Sequence, residues 1–253
     1  MPPCPTPAAS ACCPGHRGTL LADIGERSAW GSWVENPATP VDHELVTAAV
    51  DESWNRIVAW LARHAPRSAE LLGGPASAAD LAEAQEAVGA ELPGDLVHWW
   101  RRADGTTRPG RGRDLYLIPR FYPCSIQQAL RSRRIWWQVW HDDTIERGWL
   151  AEEDFLGAQA GPAGSKAGMW LPGFLPIAGG VGGETLFVDL RTGPLHGCVR
   201  EFDKVFTDLE PRWAGIADML AEVADALENH TPLDGLRPHV PQDGVLYWDR
   251  GIQ

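Results

Sequence analysis

No stretch of this chain approaches the roughly 18 consecutive apolar residues that a membrane-spanning helix requires, which argues against a helical membrane protein. Lysine is scarce, at two residues against 20 arginines, the bias of a GC-rich coding sequence. Positive charge is short overall. A formal net charge of −12 leaves too little to neutralise phosphates and release their counterions, so a general nucleic-acid binder is disfavoured and a basic partner is suited. The cysteines, Cys4, Cys12, Cys13, Cys124 and Cys198, form no CxxC pair. Neither a zinc site nor a disulfide framework is indicated, and a reducing cytoplasm is the simplest setting. The first residues, MPPCPTPAASACCPGHRG, lack the basic start and continuous apolar core of a secretory signal.

What is present is a sequence with 44% hydrophobic residues and 13 tryptophans, enough for a substantial core. Arginine clusters between Arg101 and Arg134, where nine face only Asp104 and Asp114. That cluster reads as a solvated loop followed by a helix face.

Residues 1–42 are rich in Pro, Ala, Gly and Ser without a sustained period, the composition of a disordered arm. Val46, Val50, Trp54, Ile57, Val58 and Leu61 recur at three- and four-residue steps, predicting an amphipathic helix from Glu44 to His64 that Pro66 ends. Ser77 and Asp80 have capping-box spacing ahead of a helix ending at Gly89. Leu92-Pro93 turns the chain into another helix from Asp95 to Asp104-Gly105. LYLIP, 115–119, reads as a strand, and Ser125 as the cap of a helix running toward Arg134. WWQVW, 136–140, fits either a strand or a continuation of that helix. Residues 157–168 read as a Gly/Ala loop. Strand chemistry then runs through 175–177, 184–190 and 195–202, with Gly-rich turns between, a three-strand meander. Trp213 to Leu227 marks a further helix, and VLYWD near the end could close a small strand. Helices on both sides of a mainly antiparallel or mixed sheet predict a single α+β domain over 43–230, followed by a tail over 231–253.

The order of these pieces resembles the SUKH superfamily, in particular its Smi/Knr type. The resemblance is carried by the segments 76–105, 115–130, 170–190 and 216–230. Within them Gly89, Leu92 and Pro93 fit the elbow after the acidic helix. Trp170, Pro176, Ile177, Gly182, Gly183 and Asp189 fit the later pattern of Trp, Pro-Ile, a Gly-rich turn and an apolar strand ending in Asp. Gln85 stands where many members carry Glu. The long arm and the insert around 141–168 fall outside the pattern. The resemblance implies a protein-recognition fold without a catalytic residue. Bacterial members are often immunity proteins that neutralise a toxin, and fungal members act as regulatory scaffolds.

Catalytic alternatives find little support. GGVGG at 179–183 fails as GxGxxG because Thr185 takes the last position, and no Gly-Lys-Ser/Thr follows, so it reads as a hairpin turn. His141, Asp142 and Asp143, with Glu152, Glu153 and Asp154, lack the spacing of a metal site. His196 and Cys198 read as core packing, and Asp189 as a turn residue that bonds the backbone ahead of Thr192-Gly193. There is no Gly-x-Ser-x-Gly elbow. The expectation is therefore a non-enzymatic, soluble cytoplasmic protein that binds no cofactor, metal, nucleic acid or membrane. Its partner is another protein, with a basic toxin domain as the candidate. The contact surface expected is Arg131, Arg133, Arg134, Trp136, Trp137, Trp140, Asp142 and Asp143. The alternative is a Smi/Knr-type scaffold that inhibits no toxin.

Overall fold

The computed structural model describes residues 40–107, 115–141, 147–148 and 150–250. The Pro/Ala-rich arm before Pro40, the Arg/Gly-rich loop over 108–114, and Asp142 and Asp143 lie outside the described residues.

Helix α1 spans Pro40–His64, and most of the expected stripe is its buried side: Val50, Trp54, Ile57 and Leu61 are in the core and Val58 is partly buried against it, whereas Val46, nearer the start of the helix, is 38% exposed. Pro66 both ends α1 and starts α2, Pro66–Ala69, where its missing N–H costs nothing. Helix α3, Ala78–Val88, begins with Ser77 accepting the Asp80 N–H at 3.0 Å and ends at Gly89 with φ +64°. Helix α4, Gly94–Arg102, buries Leu96, Trp99 and Trp100. Asp95, in its first turn, reaches across to the start of helix α7, Ile216–Asn229. Its Oδ2 accepts the N–H groups of Ile216 at 2.7 Å and Ala217 at 3.2 Å, while Oδ1 accepts that of Leu96 at 2.8 Å. Gly215, the residue before α7, has no side chain of its own to cap with. The carboxylate of α4 therefore caps α7.

The sheet has five antiparallel strands in the order β1-β2-β3-β4-β5: Phe121–Pro123, Phe174–Gly180, Thr185–Asp189, Val199–Asp203 and Thr207–Asp208. The expected meander is its centre, β2 to β4. All of β3 is buried because both sheet faces are covered. Period two divides its residues. Leu186 and Val188 join the main core with Leu175, Ile177 and Val199, beneath α1, α4 and α7. Phe187 joins Phe174 and Phe202 in a second, aromatic cluster beneath α5, Ile126–Trp140. Helix α6, Glu152–Ala160, borders that cluster through Phe155 and Ala158. A separate hairpin pairs β6, Arg237–His239, with β7, Tyr247–Asp249, in line with the expected closing strand. The elements α1 to β7 thus make an α+β unit.

Local differences from the sequence expectations have clear causes. LYLIP is not a strand: Pro119 has no N–H to donate and Arg120 takes φ +72°, so the chain reverses and Phe121–Pro123 does the pairing instead. WWQVW is helical, continuous with a capping box in which Ser125 and Gln128 satisfy each other's backbone N–H groups. Residues 157–160 complete α6, whose first turn carries Glu152, Glu153 and Asp154 against the helix dipole. Residues 195–198 form a turn through Gly197 at φ +89°, and the strand starts only at Val199. Trp213 precedes α7 and bridges to Val199.

Candidate functional site

The sheet face under α5 combines aromatic rings with a buried set of charges. Asp189 and Asp208 are fully buried, as are Arg191 and Arg200 to within 1%. Asp189 accepts from Arg191 at 2.7 Å and 3.0 Å, from Arg200 at 3.1 Å and from the Gly164 N–H at 3.0 Å. It also accepts the Arg191 N–H two residues on, at 3.1 Å, so the turn role expected for it is present and extended. Asp208 accepts from Arg200 at 2.7 Å and from the N–H groups of Ala167 and Gly168 at 2.8 and 2.7 Å. The guanidinium groups reach the carbonyls of Ala158, Ser165 and Leu209 with their remaining donors. Two carboxylates balance two guanidiniums, each many times hydrogen-bonded, and the set ties the 161–168 loop to the sheet. Arg191 also lies 5.2 Å from the Phe174 ring and Arg200 5.7 Å from that of Phe187, joining the charges to the aromatic layer.

Helix α5 covers this layer. Trp136 stacks on Trp170 at 5.6 Å and meets Phe202 edge-on at 4.9 Å; Trp140 meets Phe202 at 5.7 Å; Trp137 packs on Phe155 at 5.7 Å and on His141 at 4.5 Å. These three tryptophans are half-buried, turned toward the sheet and α6. Arg133 also turns inward: it donates to the Pro172 carbonyl at 2.8 and 3.1 Å and to that of Ala87 at 3.1 Å. Burial pushes its guanidinium down to about 10. Arg131 and Arg134 face solvent. Between them and the end of the helix stand Ile135, 53% exposed, and Val139, 44% exposed, one turn apart on the outer side. The eight residues expected at a contact surface thus divide: two arginines lie outside, Arg133 and the tryptophans support that surface from within, and the two aspartates are undescribed.

His196 and Cys198 do not face each other as a pair on a strand. His196 is exposed with its ring Nδ1 3.1 Å from the Arg191 carbonyl, and Cys198 is buried in the turn. Burial pushes the Cys198 thiol up to about 11 and that of Cys124 up to about 12, the opposite of an activated nucleophile. Among the described residues no group of His, Cys, Asp and Glu is arranged to hold a metal ion, and no helix is long and apolar enough to cross a membrane.

The SMI1 / KNR4 family (SUKH-1) matches residues 75–222, well over half of the chain. The chain belongs to the SMI1 / KNR4 family. No curated protein matches it. The matched SUKH-1 region runs from α3 into α7 and includes the whole sheet, with α1 ahead of it. Within it, Gly89 ends α3 in the left-handed region, Leu92 is buried, and Pro93 immediately precedes α4. Trp170 lies at the centre of the aromatic cluster. Pro176 and Ile177 sit at a bulge in β2; Gly182 and Gly183 form the β2–β3 turn, Gly183 at φ +94°. Gln85 explains its own departure from Glu: its amide donates to the Ala90 carbonyl at 2.5 Å and accepts the Leu92 N–H at 3.1 Å, closing the elbow from both sides. A carboxylate could only accept.

Sequence reasoning missed Ile135, Val139, Arg191, Arg200 and Asp208. A signal existed for Arg200: period two puts it on the same strand face as Phe202, where a buried cation calls for a buried counter-charge.

Proposed function

We propose that this SMI1 / KNR4 protein is a cytoplasmic immunity protein that neutralises a toxin by direct, non-catalytic binding, using the outer side of α5 as contact surface. The observation that carries the reading is the exposed Ile135–Val139 pair flanked by Arg131 and Arg134, on a helix fixed by stacked tryptophans. Apolar contacts on a rigid element lose little entropy on binding, and arginine is favoured at interface hot spots. A toxin that handles nucleic acid is basic, and a chain of net charge −12 draws such a partner in and raises the association rate.

The test is co-expression of the chain with the product of the adjacent gene, scoring survival and co-purification. Survival with a stable complex supports immunity, and an Ile135→Ser/Val139→Ser variant should then lose both while keeping its thermal melt. Protection by that variant equal to wild type removes α5 as the contact. A stable complex with a partner that is not toxic transfers the protein to the regulatory-scaffold role.

A further inference from the structure

From Arg131 onward the exposed residues of α5 are Arg131, Arg134, Ile135, Gln138 and Val139, steps of three and four that make one stripe down the outer side of the helix. The stripe is polarised. Its arginines stand first and its apolar pair follows, and α5 carries no Asp or Glu. The opposite charge lies at the other end. Glu152, Glu153 and Asp154, all exposed, open the first turn of α6, which contains no Lys or Arg. Phe155, next in that turn, packs on Trp137 at 5.7 Å and meets His141 at 6.4 Å, so the acidic turn is held beside the C-terminal half of α5.

Among the described residues these two arginines and three carboxylates have no ion-pair partner. The length of α5 keeps them apart: Arg131 lies about 15 Å from His141 along the helix axis. A surface that is positive at one end, apolar in the middle and negative at the other is complementary to its own copy turned end for end. A two-fold axis across α5 at Trp137 sets Ile135 of one copy against Val139 of the other. At both ends at once it also brings Arg131 and Arg134 toward the acidic turn of the second copy.

We propose that two copies of this chain pair antiparallel through α5, each covering the other's Ile135–Val139 strip and each supplying carboxylates to the other's arginines. The pairing does not depend on the immunity reading, which uses the same side of α5: a toxin takes the place of the second copy, and the free protein is held in a self-covered form. A face one helix wide is at the small end of protein interfaces, so the pairing is weak and reversible, and a tighter partner displaces it. Two copies of net charge −12 repel at long range, but salt screens charges more than about 8 Å apart and leaves the pairs in contact.

The test is sedimentation equilibrium of the full chain from about 5 to about 300 µM in about 0.15 M salt, across which the wild type should pass from monomer to dimer. Arg131→Glu/Arg134→Glu and Glu152→Arg/Glu153→Arg, each still folded by circular dichroism, should each weaken self-association by about 10-fold or more. Mixed one to one, the two variants should form a heterodimer about as tight as the wild-type dimer, because each reversed end then meets its opposite. Overall charge alone predicts otherwise, since the second variant is the less acidic and would pair best with itself. Ile135→Ser/Val139→Ser should stay monomeric throughout. A wild-type chain that is monomeric at every concentration, or mixed variants no more associated than each alone, overturns the pairing and leaves the immunity reading untouched. Co-expression with the toxin that gives no rescue sinks the immunity reading, while a dimer restored by the charge swap still establishes the pairing.

Discussion

Replacing Asp95 by alanine tests whether one side chain joins α4 to α7. The substitution leaves the N–H groups of Leu96, Ile216 and Ala217 without the acceptor they now share. Loss of a helix cap costs about 1 kcal/mol, and a buried N–H left unpaired about 1–3 kcal/mol. Against this, burial pushes the Asp95 carboxyl above its ordinary value of 3.8, so part of the cap's contribution is already offset by the cost of burying the charge. The net loss expected is about 2–3 kcal/mol, a fall in Tm of about 5–10 °C for a domain of this size, read by thermal circular dichroism. Asp95→Asn removes one acceptor oxygen and also the buried charge, so it should cost less than alanine. The pH dependence has a definite sign. The folded state holds this proton more tightly than the unfolded chain, so the stability from this site is full below 3.8 and is lost as pH rises through the raised folded value. Relative to Asp95→Asn, the wild type should therefore lose ground from about pH 4 upward. Gly215→Ala should act from the other side, because its new Cβ would lie 2.6 Å from Asp95 Oδ2. An alanine at position 95 that melts within about 2 °C of wild type would refute the shared-cap reasoning.

Arg200→Leu should destabilise by about 3–5 kcal/mol in urea titration, because Asp208 would be left buried without its guanidinium partner; a loss below about 1 kcal/mol would mean that the network is not dry. Cys124 and Cys198, with thiols pushed up to about 12 and about 11, should resist alkylation near pH 8 in the native protein and label fully in denaturant, as peptide mapping by mass spectrometry would show.

The parts of the fold legible in the sequence were those where local chemistry and tertiary packing agree. The meander was marked because its glycines sit at reversals and its first two strands, buried on both faces, carry long apolar runs. Ser77, Ser125, Gly89 and the α7 stripe marked their helices in the same way. Residues 136–140 were ambiguous because five residues sample too little of either period, and only the capping box at Ser125 fixes the helix that carries them. That ambiguity also hid the outer side of α5: as a helix, Ile135 and Val139 share a side opposite the tryptophans, whereas as a strand no such division holds. Pro119 and Arg120 moved the first strand because a φ of +72° at an arginine has no sequence signature. The β4–β5 turn was invisible for the same reason, since Thr207 adopts a turn conformation that its residue type disfavours.

The four buried charges also govern motion. Residues 161–168 have no regular secondary structure, and such loops ordinarily exchange their amide protons quickly through local opening. Here the N–H groups of Gly164, Ala167 and Gly168 end on Asp189 and Asp208, so exposing them means pulling carboxylates away from guanidiniums in a dry interior. Solvent then reaches these amides only when the sheet itself opens. In native-state hydrogen exchange this irregular loop should keep time with β3 and β4, making it kinetically part of the sheet and giving α6 a fixed platform.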